Sequence, residues 1–118
     1  MPDFSKDLIA ATSIPLLLSI LAEGESYGYE LIKAIKERSG GNLEFAEGTL
    51  YPVLKKLEEK KFISSTWKTA DNDRQRKYYR ITVSGKKQLQ TEKANWQFIN
   101  KIFEQLWKPQ INFSWNQP

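Results

Sequence analysis

Apolar residues recur at helical intervals along most of this chain and switch once, near its middle, to a strand-like pattern. Leu8, Ile14, Leu17, Leu18 and Leu21 keep helical spacing behind Ser5, a suitable N-cap, and Gly24 offers a stop. Pro15 lies inside that run, where proline removes one ladder bond and crowds the preceding turn, so it predicts a bend or a later start. A second helix is expected with Ser26 as cap, Tyr27, Leu31, Ala34 and Ile35 on one face, and Ser39, Gly40 and Gly41 at its end. A third begins near Glu47, with Leu50, Val53, Leu54 and Leu57 at i, i+3, i+4 and i+7. Residues 62–68 and 77–82 are rich in β-branched and aromatic side chains, and the polar TADNDRQR between them reads as a hairpin loop. Thr82 can cap a fourth helix that runs to Lys108, where Pro109 stops it. Three helices and a hairpin in that order predict a mainly α fold with a small β-hairpin, a winged helix-turn-helix followed by a long C-terminal helix.

The third helix has two chemically different sides. With successive residues about 100° apart, its apolar stripe centres on Leu50 and Leu57, while Gly48, Pro52, Lys55 and Glu59 lie opposite and Tyr51 and Lys56 flank them. Small and basic residues near a helix N-terminus, where amides also favour phosphate, suit the second helix of a helix-turn-helix entering a major groove. Pro52 opposes this, since an interior proline costs about 3 kcal/mol against alanine, and a surface helix that becomes regular only from Pro52 is the competing expectation. In the hairpin, Arg74 and Arg76 are placed in the loop and Lys77 and Arg80 on the following strand, within reach of a minor groove or flanking phosphates.

Charge sharpens this picture. Residues 1–54 hold 4 basic and 8 acidic groups, 55–80 hold 9 and 4, and 81–118 hold 5 and 2, within a net charge of +4. Positive charge therefore gathers from the third helix through the hairpin, as on a polyanion-binding surface, although a solvated lysine face has the same composition. The 118 residues suffice for one modest core. With no cysteine and no histidine, disulfides, thiolate nucleophiles, the usual zinc ligand sets and an imidazole base are all excluded, so no metal or cofactor is expected. The carboxylate pairs Glu58/Glu59 and Asp71/Asp73 are adjacent on a helix surface and in a loop rather than opposed across an apolar cleft, which argues against an enzyme. The apolar run from Leu8 to Leu21 is interrupted by Thr12, Ser13, Pro15 and Ser19 and follows Asp3 and Asp7, so neither a membrane span nor a signal peptide is expected and the protein is read as cytoplasmic.

A helix over 82–108 would be about 40 Å long, more than a domain of this size needs. Leu89, Trp96, Ile99, Phe103 and Leu106 step by threes and fours like a coiled-coil seam, and Phe98, Ile102 and Trp107 add a second apolar face. One face for its own domain and one for a second copy predicts a homodimer, with a winged helix-turn-helix over 1–82, a dimerisation helix over 83–108 and a short aromatic tail over 109–118.

The segments YGYELIKAI (Tyr27 to Ile35), GTLYPVLKKLEEKKFI (Gly48 to Ile63) and RKYYRITVSGKK (Arg76 to Lys87) resemble, in order, those of the PadR family of bacterial transcriptional repressors. The resemblance implies a winged helix that dimerises through its terminal helices and binds double-stranded DNA. It implies DNA contacts from Tyr27 and Lys33 of the second helix, Thr49, Tyr51, Pro52, Lys55 and Lys56 of the third, and Arg74, Arg76, Lys77 and Tyr78 of the wing. Tyr51 can equally pack against the wing. The wing lacks the glycines that often flank its basic residues in the family. In the short-chain branch, with a single C-terminal helix, the resemblance extends to drug sensors in which a tryptophan from each subunit lines a flat pore at the dimer interface. Trp96 matches that position, with Ile14, Pro15, Leu18, Ser19, Ala94 and Asn100 around the same space for a planar aromatic molecule. Trp96 as a plain dimer-core residue is the alternative. Two other functions stay open at this stage: a winged helix used only for protein interaction, and another winged-helix regulator family such as the MarR-like repressors.

Overall fold

In the computed structural model, which describes residues 4–108, the elements are α1 (Lys6–Leu21), β1 (Ser26–Tyr27), α2 (Gly28–Arg38), α3 (Glu47–Glu59), β2 (Ile63–Thr69), β3 (Gln75–Ile81) and α4 (Val83–Leu106). Asp3, the tail expected at 109–118 and the Pro109 stop lie outside the described residues. Ser5 caps α1 as expected, its hydroxyl accepting the Leu8 N–H at 3.1 Å. Pro15 neither ends nor starts the helix, which passes through it unbroken to Leu21. Leu17, Leu18 and Leu21 of α1, Leu31 and Ile35 of α2, and Leu50, Leu54 and Leu57 of α3 are all buried together. Arg38 at the end of α2 forms a paired ion bridge with Glu23 beyond the end of α1. Phe45, in the turn between α2 and α3, is buried against the same core.

Ser26 does not cap α2. It forms with Tyr27 a two-residue strand that pairs antiparallel with β3, Ser26 opposite Tyr79 and Tyr27 opposite Tyr78. Tyr27 then stands at the N-cap position, with its N–H on the Glu30 carboxylate at 3.3 Å. A two-residue strand is too short for any alternation to announce it, and its partner lies some fifty residues away. The sheet order is β1-β3-β2, so the wing hairpin is tied at its base to the start of α2.

The β2–β3 register runs from Ile63 opposite Ile81 to Thr69 opposite Gln75, which confines the loop to residues 70–74. Arg76 therefore belongs to strand β3, opposite Lys68, and not to the loop. The tip does without glycine because Asp73 takes the left-handed conformation at φ 62°, which short polar side chains tolerate best after glycine. The Asn72 side-chain oxygen accepts the Arg74 N–H at 3.2 Å, and the Ala70 N–H donates to the Arg74 carbonyl at 2.7 Å.

Thr82 caps α4 as expected, accepting the Gly85 N–H at 3.0 Å while its hydroxyl donates to the Lys61 carbonyl at 2.7 Å. The helix ends at Leu106, where the Trp107 N–H returns to the Phe103 carbonyl at 2.8 Å and the two rings stack with centroids 4.7 Å apart. The expectation for α4, in which the seam of Leu89, Trp96, Ile99, Phe103 and Leu106 meets a second copy, is corrected at Leu89. Leu89, placed in that seam, is 3% exposed and completes the chain's own core. Phe98, Ile102 and Trp107, the second apolar face, stand exposed, because α4 runs past the edge of its own domain. No helix among the described residues is long and apolar enough to cross a membrane.

The start of α4 is set by close approach. A Cβ on Gly85 would fall 1.9 Å from the Phe62 carbonyl oxygen, a backbone atom that cannot swing aside. Gly85→Ala should therefore destabilise the fold by about 3 kcal/mol, as overpacking at a rigid contact does. Urea unfolding followed by circular dichroism measures it, and a loss within the scatter of surface substitutions would contradict this contact.

Candidate nucleic-acid interface

Burial of Leu50, Leu54 and Leu57 leaves the other side of α3 no choice but solvent, and Thr49, Tyr51, Pro52, Lys55 and Lys56 are all exposed there. The helix is continuous through Pro52, so the expectation of a regular start only at that residue is corrected. Its first turn is closed by the Thr49 and Leu50 N–H groups, both donating to the Ala46 carbonyl at 3.0 Å. Ala46 has no side-chain acceptor to cap the earlier amides, which leaves them to water or to an anion.

Beside this face lies a cleft of about 420 Å³ between the N-terminal half of α3 and the wing, lined by Tyr27, Tyr51, Trp67, Arg76, Lys77 and Tyr79 among others. Tyr51 leans back across it. Its ring crosses Gly28, where an added Cβ would meet the phenol oxygen at 2.3 Å, so only glycine at the start of α2 lets Tyr51 lie there. The Arg76 guanidinium sits 4.3 Å from the centroid of the Tyr27 ring, which in turn meets Tyr78 edge-on at 5.3 Å. Lys68 approaches Tyr78 from the neighbouring strand, 5.0 Å from its centroid, and pairs with Glu25. These cation–π contacts fix the direction of Arg76 without neutralising it.

Lys77 is held differently. Its ammonium lies 3.6 Å from Glu58 Oε1, while Glu58 Oε2 accepts the Ser65 hydroxyl at 2.5 Å, so α3 and both wing strands meet at one carboxylate. Tyr79 is buried beneath, and burial first, then the charge of Glu58 and the proximity of Tyr51, push its phenol above the usual range. It is neutral at physiological pH and serves as a packed floor.

The structure brings Tyr27, Tyr51, Arg76 and Lys77 to one cleft and aligns Thr49, Pro52, Lys55 and Lys56 on the face next to it. Tyr78 is half-buried between Tyr27 and Lys68, where it orients its neighbours. Arg74 is exposed in the loop. Lys33 stands exposed on α2 beside Tyr29 and Glu37, away from the cleft. Three participants escaped the sequence reading: Gly28, Lys68 and Trp67. An exposed tryptophan on a strand next to a basic loop was the available signal for the last.

The residues assigned to an aromatic ligand divide. Pro15, Ser19 and Trp96 line an apolar groove of about 310 Å³ between α1 and α4, with Leu8, Leu16 and Leu43. Leu18 is corrected: one residue before Ser19, it is turned about 100° around α1 and is fully buried in the core. Ile14 likewise packs against the core. Ala94, about 160° around α4 from Trp96, and Asn100, a turn further on beside Glu104, are exposed and outside the groove. Of the outer seam, Ile99, Phe103 and Leu106 are exposed and Trp96 is half-buried.

Comparison with known proteins agrees with this geometry. The family described as the transcriptional regulator PadR-like family matches residues 17–91. A transcriptional regulator from Clostridium thermocellum superposes with a TM-score of 0.79 at 32% identity, covering 87% of this chain and 100% of that one. A PadR-like transcriptional regulator from Bacillus cereus gives 0.77 at 28% identity, over 88% and 99% of the two chains. In sequence, the chain is 33% identical over 73 residues to the negative transcriptional regulator PadR of Bacillus subtilis, which is 62% of this chain but 40% of that protein. An uncharacterised protein of Lysinibacillus sphaericus is 32% identical over 98 residues, 83% of this chain and 90% of its own length.

The raised Tyr79 phenol has a measurable consequence. Because the folded value lies above the unfolded one, near 10, its contribution is intact below that pH and is lost as pH rises through the folded value. Ultraviolet titration of the phenols should show one tyrosine ionising late, together with alkaline unfolding, and Tyr79→Phe should remove that late step. An unchanged titration curve in the variant would contradict the burial of this phenol.

Proposed function

This chain belongs to the transcriptional regulator PadR-like family, and on that footing we propose that it binds double-stranded DNA as a homodimer and represses transcription. The observation that carries this reading is the placement of the exposed α3 face, with Thr49, Tyr51, Pro52, Lys55 and Lys56, directly beside a cleft whose far wall is the basic wing. Seated in a major groove, that face puts Lys55 and Lys56 near phosphates and Thr49 and Tyr51 near base edges. Arg74, Arg76 and Lys77 then reach the neighbouring backbone or minor groove, and Lys33 extends the phosphate contacts along α2. A family of transcriptional regulators is not one of enzymes, and no reaction is proposed.

Dimerisation is supported by the exposed Ile99, Phe103 and Leu106, which together with Phe98, Ile102 and Trp107 form an apolar band about half-way around the C-terminal half of α4. A two-fold pair would present two α3 helices, and the operator would be a pseudo-palindrome with half-sites about one helical turn apart. The groove at Pro15, Ser19 and Trp96 adjoins that band, and a flat aromatic ligand stacked on Trp96 there would shift the pairing of the subunits and release DNA. With DNA as its target and no membrane contact, the protein would work in the cytoplasm.

A gel shift against DNA upstream of its own and neighbouring genes should show specific retardation that weakens steeply with salt. Lys55→Ala with Lys56→Ala should weaken it at least tenfold and flatten the salt dependence by about two phosphate contacts, while Ile99→Asp with Phe103→Asp should give a monomer that no longer shifts the full site. A folded dimer that shifts none of these fragments would instead favour a protein-interaction module. For the ligand, planar cationic dyes should quench tryptophan fluorescence in the wild type and not in Trp96→Ala, and equal quenching in both would remove Trp96 from the site.

A further inference from the structure

Trp67 is the most exposed aromatic among the described residues of the sheet, at 67%, on a strand whose other exposed residues, Thr66, Lys68 and Thr69, are polar. An indole gains nothing from water, and its exposure here has a position. Trp67 pairs across the strands with Lys77 and lies one pleat step from Ser65, whose hydroxyl reaches Glu58 of α3. Trp67 is therefore on the side of the sheet that faces α3, and it forms one lip of the cleft whose other lip is Tyr51.

With α3 in a major groove and the wing over the adjacent backbone, one strand of the duplex has to pass between them, along this cleft. Such a strand offers two alternating chemistries, charged phosphates and largely apolar sugar faces. Arg76 and Tyr27, paired with Lys68 and Tyr78 on the opposite face of the sheet, border the cleft from that side, while within it the hydroxyl of Tyr51 suits the phosphates. Lys77 suits them less, since Glu58 already shares its charge. Glu47, Glu58 and Glu59 are the carboxylates along the cleft and its continuation, and Glu58 is occupied by Ser65 and Lys77. Trp67 brings no charge, only a broad apolar surface and one N–H.

Resting on the DNA-binding reading above, we infer that Trp67 packs against the deoxyribose of the strand seated in the cleft. The contact adds affinity and register to the complex without releasing counterions, so its signature is a loss of binding that is the same at every salt concentration.

The test uses the full chain and a duplex selected by the wild type from random-sequence DNA, with binding followed by fluorescence anisotropy across a salt series. Trp67→Ala should weaken binding roughly tenfold at every salt with the salt slope unchanged, the loss expected for exposing most of an indole face again. Trp67→Phe should stay within about threefold. Trp67→Gln, which keeps a hydrogen-bonding group without the apolar face, should behave like alanine. Lys55→Gln should instead flatten the slope by about 0.9, one phosphate contact. Wild-type affinity in Trp67→Ala overturns the inference and leaves the DNA-binding reading standing. A flattened slope in Trp67→Ala overturns it too, since Trp67 would then act by placing neighbouring cations. A wild type that selects no duplex and shows no salt-sensitive binding removes the reading and the inference together.

Discussion

The leucine stripe of α3 is the constraint on which the rest turns. Leu50, Leu54 and Leu57 are buried against α1 and α2, and a helix with three leucines on one side has its rotation settled by them. Once that rotation is set, Thr49, Pro52, Lys55 and Lys56 face outward regardless of what they do there. The proposed DNA-facing side is in this sense a by-product of the core, which explains how an interior proline is tolerated. Packing over the length of the helix outweighs the one hydrogen bond that Pro52 cannot make.

A second constraint comes from β3. As the central strand it is bonded to β1 on one side and β2 on the other, and β1 leads straight into α2. The wing is therefore not an appendage on a loop but a continuation of the sheet that begins α2. Glu58 closes the arrangement from the other direction by holding Ser65 and Lys77 from α3. The two helices and the wing form one piece, and Tyr51, packed over Gly28, fills the seam. Trp67 stands at the open side of that piece, the large apolar group its polar strand neighbours do not explain.

Much of this was legible in the chain because it depends on local periodicity. The four helices, the caps Ser5 and Thr82 and the outward side of α3 follow from residues three and four apart. What escaped depends on contacts between distant segments. β1 exists only because β3 lies alongside it, and Gly28 and Gly85 are required by Tyr51 and Phe62, which no local pattern connects to them. The assignment of Leu89 failed for a related reason: Leu89 and Phe98 both fit a helical stripe, and only the size of the domain decides which of them it covers. Leu18 was misplaced because a positional resemblance carries no information about which way a side chain turns. In the hairpin, one misjudged loop end moved Arg76 from a mobile-looking tip to a strand where Tyr27 aims it.

Trp96 marks the point at which α4 leaves its own domain, half-buried against α1 with about 15 Å of helix beyond it. The helix is thus a lever with its fulcrum at the mouth of the groove lined by Pro15 and Ser19. In the proposed dimer, a small wedge inserted at that fulcrum would move the free end by a multiple of its own thickness, so occupancy of a shallow apolar groove would change the span between two distant heads without disturbing the packing of either one.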